Sequence, residues 1–125
     1  MVDRPPLTPV EWMGSAREDL RDFPEAVQDN VGYALYGAQR GEHPLHAKRL
    51  KGELGGLIEI VEDFDGNTYR AVYTLKLRGA IYVLHAFQKK STRGIATPRR
   101  EIELIKARYA RAREYHAAHY GAQEE

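Results

Sequence analysis

The order of apolar and polar residues in the N-terminal part of the chain predicts a short strand and two helices. Residues 10–13 alternate apolar and polar side chains, which is typical of a strand. After Gly14, Ser15 and Glu18 have the spacing of a capping box, which marks the start of a helix, and Pro24 stands where a second helix can begin. The second helix carries one apolar stripe, formed by Val27, Val31, Ala34, Leu35 and Ala38. We expect this stripe to be buried.

The middle of the chain has the pattern of an antiparallel sheet. Three runs rich in Ile, Val, Leu and Tyr predict strands over residues 57–62, 68–76 and 80–87. Asp65 and Gly66 separate the first two runs, and Arg78 and Gly79 separate the last two. Because such pairs are typical of tight turns, the strands are expected to pair in sequence order as two hairpins. Residues 41–56, which precede them, predict a polar loop.

The C-terminal part predicts a last helix and completes the fold. Thr97 and Pro98 are residue types that are typical of the start of a helix. An apolar stripe follows at Ile102, Ile105, Tyr109 and Ala112. The polar residues 114–125 are expected to form a frayed tail. The predicted order β-α-α-β-β-β-α separates the helices from a mainly antiparallel sheet, which indicates an α+β fold. The length of 125 residues fits a single domain over residues 1–125.

Charge is distributed unevenly along the chain. Residues 1–68 contain 7 Lys and Arg against 13 Asp and Glu, a net charge of 7 − 13 = −6, and residues 69–125 contain 12 against 5, a net charge of +7. A polyanion such as RNA would be attracted to the basic second half. The same distribution is also that of a solvated basic face balanced by an acidic helix, so charge alone does not choose between the two.

The composition narrows the class of protein. The chain has no cysteine, which excludes disulfides and cysteine-rich zinc sites and is compatible with a reducing compartment. The longest apolar run, residues 80–84, is too short to cross a bilayer, and no apolar segment follows the N-terminus. We therefore expect a cytoplasmic protein without a membrane partner.

The strand registers suggest a site. A two-residue turn at Arg78 and Gly79 places Val72 opposite His85, and a four-residue loop places Arg70 opposite the same histidine. Both loops put Arg70 and His85 on one side of the sheet. A three-residue loop would bring Tyr73 to the side of the histidine instead. The next basic residues, Lys89 and Lys90, follow at the end of the same strand.

Such a group of side chains suits RNA cleavage by attack of a 2′-hydroxyl on the adjacent phosphate. That reaction needs a base for the hydroxyl proton, cations for the phosphate charge and an acid for the leaving 5′-oxygen. Histidine can transfer the protons and arginine can bind the phosphate, so no metal or other cofactor is expected. The alternative is that Arg70 and His85 are ordinary sheet residues, with Arg70 neutralised by Glu59 on the neighbouring strand.

Other polar groups are weaker candidates. His116 and His119 have a spacing found in metal sites but have no acidic or cysteine partner nearby, and they are expected to be exposed to solvent. His43 and His46 lie in a loop and are discounted for the same reason. The glycines of residues 52–56 are not followed by Lys and Ser or Thr, so a phosphate-binding P-loop is not supported.

Several linked motifs resemble the RelE/HigB toxins, especially their phage-protein-like subgroup. The motifs are LKGELGGLIEI at residues 50–60, TYRAVYT at 68–74, YVLHAFQKK at 82–90 and TPRREI at 97–102. The resemblance runs in matching order from about Trp12 to about Arg111. It implies a compact α+β microbial RNase fold and ribosome-dependent cleavage of messenger RNA. It also implies the toxin of a type II toxin–antitoxin system, inhibited in a hetero-oligomer by a cognate helix-turn-helix antitoxin.

The resemblance also assigns roles to individual residues. It implies that Arg70 contacts the phosphate, that Lys89 and Lys90 assist it, and that His85 transfers a proton. The residues expected to bind RNA are Lys48, Lys51, Arg93, Arg99 and Arg100.

The chain departs from the family at one place. Where the best-known members have lysines on the first hairpin strand, this chain has Glu59, Val61 and Glu62, so His85 or Tyr73 would have to act as the general base. This departure keeps open a second hypothesis, a catalytically inactive module that binds an antitoxin or nucleic acid. A third and weaker hypothesis is a metal-dependent hydrolase that uses the C-terminal histidines.

Overall fold

The computed structural model of the chain describes residues 6–89 and 97–121. Its helices are α1 (Ala16–Arg21), α2 (Glu25–Gln39) and α3 (Arg99–Tyr120), with a 3₁₀ turn at Gly52–Leu54. Its strands are β1 (Val10–Trp12), β2 (Ala47–Arg49), β3 (Leu57–Phe64), β4 (Asn67–Thr74) and β5 (Ile81–Lys89). The predicted α+β fold is confirmed, and β2 is an additional short strand within the segment predicted to be a loop.

The strands form one five-stranded sheet in the order β1-β5-β4-β3-β2. β1 runs parallel to β5, and the other pairs are antiparallel. In the pairing of β4 with β5, Val72 lies opposite His85 and Tyr73 lies opposite Val83, so Leu84 is an extra residue on β5. This bulge gives the pairing that a two-residue turn would have given, although the connection between the strands is longer.

The sheet is covered on both faces. We call the face under α1 and α2 the α2 face; its buried side chains include Ile58, Ile60, Ala71, Tyr73 and Val83, packed with Val27, Val31 and Leu35 of α2. The opposite face, which we call the α3 face, has a core of Leu57, Val72, Tyr82 and Leu84 packed with Ile105, Tyr109 and Ala112 of α3. Because successive side chains of a strand point to opposite faces, β3, β4 and β5 each contribute to both cores.

The C-terminal helix is longer than the sequence predicted. α3 continues to Tyr120, so residues 114–120 are not a frayed tail, and residues 122–125 lie outside the described part. His116 is buried against the sheet, where its Nδ1 lies 3.0 Å from the hydroxyl of Tyr82. The prediction was wrong because His116 and Tyr120 continue the buried stripe of the helix, and their rings combine apolar surface with a polar atom. No helix within residues 6–89 and 97–121 is long and apolar enough to span a membrane.

Candidate functional site

The polar centre of the α3 face is a group of cations around one carboxylate. Lys48 on β2 lies directly opposite Glu59 on β3, and Arg70 lies on β4 opposite Val61, two residues further along β3. Lys89, at the end of β5, lies opposite Thr68. All four charged residues therefore belong to the same face. We call Lys48, Glu59, Arg70 and Lys89 the cationic cluster.

Glu59 and Arg70 form the central ion pair of the cationic cluster. The distance between Arg70 Nη1 and Glu59 Oε1 is 2.6 Å, and Lys48 Nζ lies 3.6 Å from the same oxygen. Glu59 is 4% exposed and the Arg70 side chain 14% exposed. The predicted neutralisation of Arg70 by Glu59 is thus observed. With three cations and one carboxylate, however, the cluster keeps a net charge of 3 − 1 = +2.

One nitrogen of Arg70 is left without a partner. Its Nε is buried and has no hydrogen-bond acceptor among the described residues. A buried donor without an acceptor costs roughly 1–3 kcal/mol, so water or another molecule is expected to supply the acceptor. The second oxygen of Glu59, Oε2, also has no partner among those residues.

The ammonium group of Lys89 has a lowered pKa. Burial lowers the pKa of its ammonium group, and the positive charges of Arg70 and Lys48 lower the pKa further, whereas Glu59 acts in the opposite direction. A lysine with a lowered pKa gives up its proton more readily near neutral pH. Lys89 is therefore a stronger acid than a lysine in water.

His85 lies on the same face as Arg70, as both even-numbered loops predicted, but both of its ring nitrogens are occupied. Nε2 lies 2.9 Å from Glu101 Oε2, and Nδ1 lies 3.3 Å from Arg108 Nη1. Since a guanidinium only donates hydrogen bonds, Nδ1 must accept and Nε2 must carry the hydrogen. The ring also stacks on Phe87, with 4.9 Å between the ring centres. His85 is 5% exposed and is held in place from three sides.

Arg108 was missed by the sequence reasoning. It donates to the carbonyl oxygen of Leu84 at 3.0 Å and to Ser15 Oγ at 3.0 Å, and thereby connects α3 to β5 and to the start of α1. A Cβ at Gly14 would lie 2.7 Å from Arg108 Nε, and Gly14 has a φ of +54°, so this close approach needs a glycine. The available signal was that Glu101 and Arg108 fall on the apolar stripe of α3, where a charged residue requires a partner.

Tyr73 does not belong to this site. It lies opposite Ile58 on the α2 face, where it is 3% exposed and burial raises the pKa of its hydroxyl to about 12. The three-residue register, which would have placed Tyr73 beside His85, is therefore wrong. The physical reason is that the bulge at Leu84 leaves Val72, not Tyr73, opposite the histidine.

Arg99, predicted to bind RNA, lies in a network of exposed ion pairs. Its guanidinium contacts Glu53 of the 3₁₀ turn at 2.5 Å and Glu103 at 2.5 Å, and Lys106 lies 3.1 Å from the same Glu53. The hydrogen bonds from Arg99 and Lys106 lower the pKa of the Glu53 carboxyl to about 2. This network joins α3 to the segment before β3 and includes none of the residues of the cationic cluster.

The remaining residues predicted to bind RNA have different surroundings. Lys51 is exposed, and its side chain has no partner among the described residues. The Arg100 side chain is 87% exposed and lies 3.9 Å from Glu101. Lys90 and Arg93 lie outside the described residues. Of the residues predicted for this role, the structure places Lys48 in the cationic cluster.

The histidines considered as metal ligands are separated. His116 is buried, contrary to the expected exposure, while the exposed His119 stacks on Tyr115. His43 contacts a backbone carbonyl, and His46 lies 2.8 Å from Glu62. Within residues 6–89 and 97–121, no three or more His, Asp or Glu side chains are arranged to hold a metal ion.

Comparison with known proteins gives a structural neighbour and a family. The neighbour is a chain in the crystal structure of the toxin–antitoxin complex RelBE2 from Mycobacterium tuberculosis. The two chains are 22% identical and have a TM-score of 0.49, and the match covers 72% of this chain and 100% of that chain. Curated proteins give no significant match. The family described as phage derived protein Gp49-like matches residues 18–110, which are 93 of the 125 residues. The chain therefore belongs to the Gp49-like family of phage-derived proteins, in agreement with the phage-protein-like motifs of its sequence.

Proposed function

We propose that this chain is the toxin of a type II toxin–antitoxin system and that it cleaves messenger RNA on the ribosome. The observation that carries the proposal is the cationic cluster, in which Arg70 has an unpaired Nε and the net charge is positive. Such a group matches a phosphodiester better than a neutral ligand. The motif series and the basic second half of the chain support the same function.

In the proposed reaction Arg70 binds the scissile phosphate. Its Nη1 stays on Glu59, which fixes the plane of the guanidinium, and a phosphate oxygen becomes the acceptor for Nε. Lys48, which shares the Glu59 oxygen, adds positive charge at the same place. Charge that develops on the phosphate oxygens in the transition state is stabilised by these two cations, without a metal ion.

Proton transfer is assigned to Glu59 and Lys89. The 2′-oxygen forms a bond to phosphorus while the bond from phosphorus to the 5′-oxygen breaks. Glu59 accepts the hydroxyl proton on its free Oε2, and Lys89, whose pKa is lowered, donates a proton to the leaving oxygen. His85 is given no proton-transfer step in this scheme, because its two ring nitrogens are already bonded to Glu101 and Arg108.

The test is to express the chain in a translating extract and to map the ends of the messages. We expect new 5′ ends inside translated messages. Arg70→Ala should lower the cleavage rate on the order of 10²-fold or more. Arg17→Ala is the matched control, since Arg17 is exposed on α1 and has no side-chain partner among the described residues. Intact messages with the unchanged protein would refute the proposal.

A second candidate function is a catalytically inactive module of the same fold that binds an antitoxin or nucleic acid. The observation that favours it is the Glu59–Arg70 pair, which leaves only 14% of the Arg70 side chain exposed. This alternative predicts that expression leaves growth unaffected while a partner binds tightly. The toxin proposal predicts growth arrest that co-expression of a helix-turn-helix protein from the adjacent reading frame relieves.

A further inference from the structure

A polar pocket lies on the α2 face of the sheet, at the end opposite the cationic cluster. It has a volume of about 320 Å³ and is lined by the ends of β2 and β4, the start of β5 and the two loops beside them. Tyr73 and Arg49 line it, whereas Arg70 and Lys89 of the cationic cluster do not. The volume is at the lower end of the range for small-molecule sites, roughly 300–1,000 Å³.

Two arginines at this pocket have no partner. The side chains of Arg49 and Arg78 are exposed and make no ion pair or hydrogen bond with any residue in the described ranges. The carboxylate that lines the pocket, Glu42, is already paired with Arg40 at 2.6 Å. The pocket therefore keeps the charge of two guanidinium groups, which favours an anionic ligand.

A buried tyrosine adds a neutral donor. Arg49 lies opposite Ile58, and Ile58 lies opposite Tyr73, so the arginine and the tyrosine share one row across three strands of the α2 face. The Tyr73 hydroxyl has no hydrogen-bond partner among the residues described, and its raised pKa, about 12, keeps it protonated at neutral pH. A protonated phenol donates a hydrogen bond to a phosphate oxygen.

Part of the lining is apolar. Ala38, Leu75, Leu77 and Ile81 line the same pocket beside the polar groups. Small-molecule sites combine such an apolar wall with a few polar groups that fix the orientation of the ligand. We propose that this pocket binds a nucleoside phosphate, with the phosphate held by Arg49, Arg78 and Tyr73 and the base placed against the apolar wall. This site is separate from the proposed nuclease site and does not depend on it.

The test is calorimetric titration of the full chain with adenosine 5′-monophosphate, adenosine and inorganic phosphate. We expect saturable binding of the monophosphate at millimolar concentration or tighter, and weaker binding of the other two probes. The double variant Arg49→Ala/Arg78→Ala should bind the monophosphate at least tenfold more weakly, and Tyr73→Phe several-fold more weakly. Thermal unfolding of each variant checks that the fold is retained.

Two controls separate this site from other basic surfaces. Arg17→Ala/Arg111→Ala removes two exposed arginines that have no side-chain partner in the described part of the chain, and it should leave binding unchanged. Arg70→Ala should also leave binding unchanged while it slows message cleavage. The proposal is overturned if the monophosphate does not bind, if Arg49→Ala/Arg78→Ala binds it as well as the unchanged protein, or if Arg70→Ala removes binding. Equal affinity for inorganic phosphate and the monophosphate would overturn the placement of the base.

Discussion

The ion pair between Glu59 and Arg70 is expected to stabilise the fold as well as to prepare the site, and Glu59→Gln separates the two roles. The substitution keeps the shape of the side chain and a neutral acceptor for Arg70 but removes the negative charge. Lys48, Arg70 and Lys89 then face one another without a counter-ion, and the charge of the cationic cluster rises from +2 to +3. We expect a less stable protein that binds RNA more tightly and cleaves it more slowly.

The magnitude follows from the burial of the pair. Removing one partner of a fully buried pair costs about 3–5 kcal/mol, but the Arg70 side chain is 14% exposed and glutamine still accepts a hydrogen bond, so about 2 kcal/mol is expected. Unfolding entropy of about 2.1 cal/mol/K per residue gives ~0.26 kcal/mol/K for 125 residues. The melting temperature should therefore fall by about 8 °C.

The assay is a double-mutant cycle of denaturant unfolding with Glu59→Gln, Arg70→Gln and the double variant. We expect a coupling free energy of at least about 1.5 kcal/mol. Arg40 and Glu42 provide the control, because their N–O distance is also 2.6 Å while their side chains are 49% and 54% exposed. Their coupling should not exceed about 0.5 kcal/mol. Equal coupling energies for the two pairs would refute the reasoning that burial gives the Glu59–Arg70 pair its strength.

Three further predictions follow from other parts of the structure. The pKa of Lys89 is lowered and its protonated form is the proposed acid, so the cleavage rate should decline as pH rises through that pKa. Lys89→Arg should move this decline to higher pH, and an unchanged pH–rate profile would count against Lys89. Gly14→Ala should destabilise the fold by about 1–3 kcal/mol in denaturant unfolding, because the backbone has a φ of +54° and the added Cβ would lie 2.7 Å from Arg108 Nε. An unchanged free energy of unfolding would show that the Arg108 side chain moves freely. Truncation after Arg113 removes the buried His116 and should lower the free energy of unfolding by about 2 kcal/mol or more, whereas a frayed tail would be removed without effect.

The local patterns of the chain were sufficient to predict most of its elements. The strands β3, β4 and β5 are long and rich in residues that favour sheets, and turn residues separate them, so their order and pairing followed directly. The strand β2 has only three residues, Ala, Lys and Arg, and two of these are exposed. Its pairing with β3 is a tertiary contact that no local pattern indicates.

The site was predictable only in part. The even-numbered loops considered for the turn placed Arg70 and His85 on one face, and the alternative interpretation named Glu59 as the partner of Arg70. The bulge at Leu84 excluded Tyr73 from that face, and a bulge has no reliable signal in one sequence. The partners of His85 come from α3, which is distant in sequence. The bonding of both ring nitrogens was therefore visible only in the packed structure.

The most direct test of the central claim is the single-turnover cleavage rate of a ribosome-bound message, measured together with ribosome association. The claim is that the guanidinium of Arg70, held by Glu59, stabilises the phosphate in the transition state. It predicts that Arg70→Ala associates with ribosomes almost as well as the unchanged protein and cleaves on the order of 10²-fold more slowly, while Arg17→Ala cleaves at the normal rate. Cleavage by Arg70→Ala at the normal rate would contradict it.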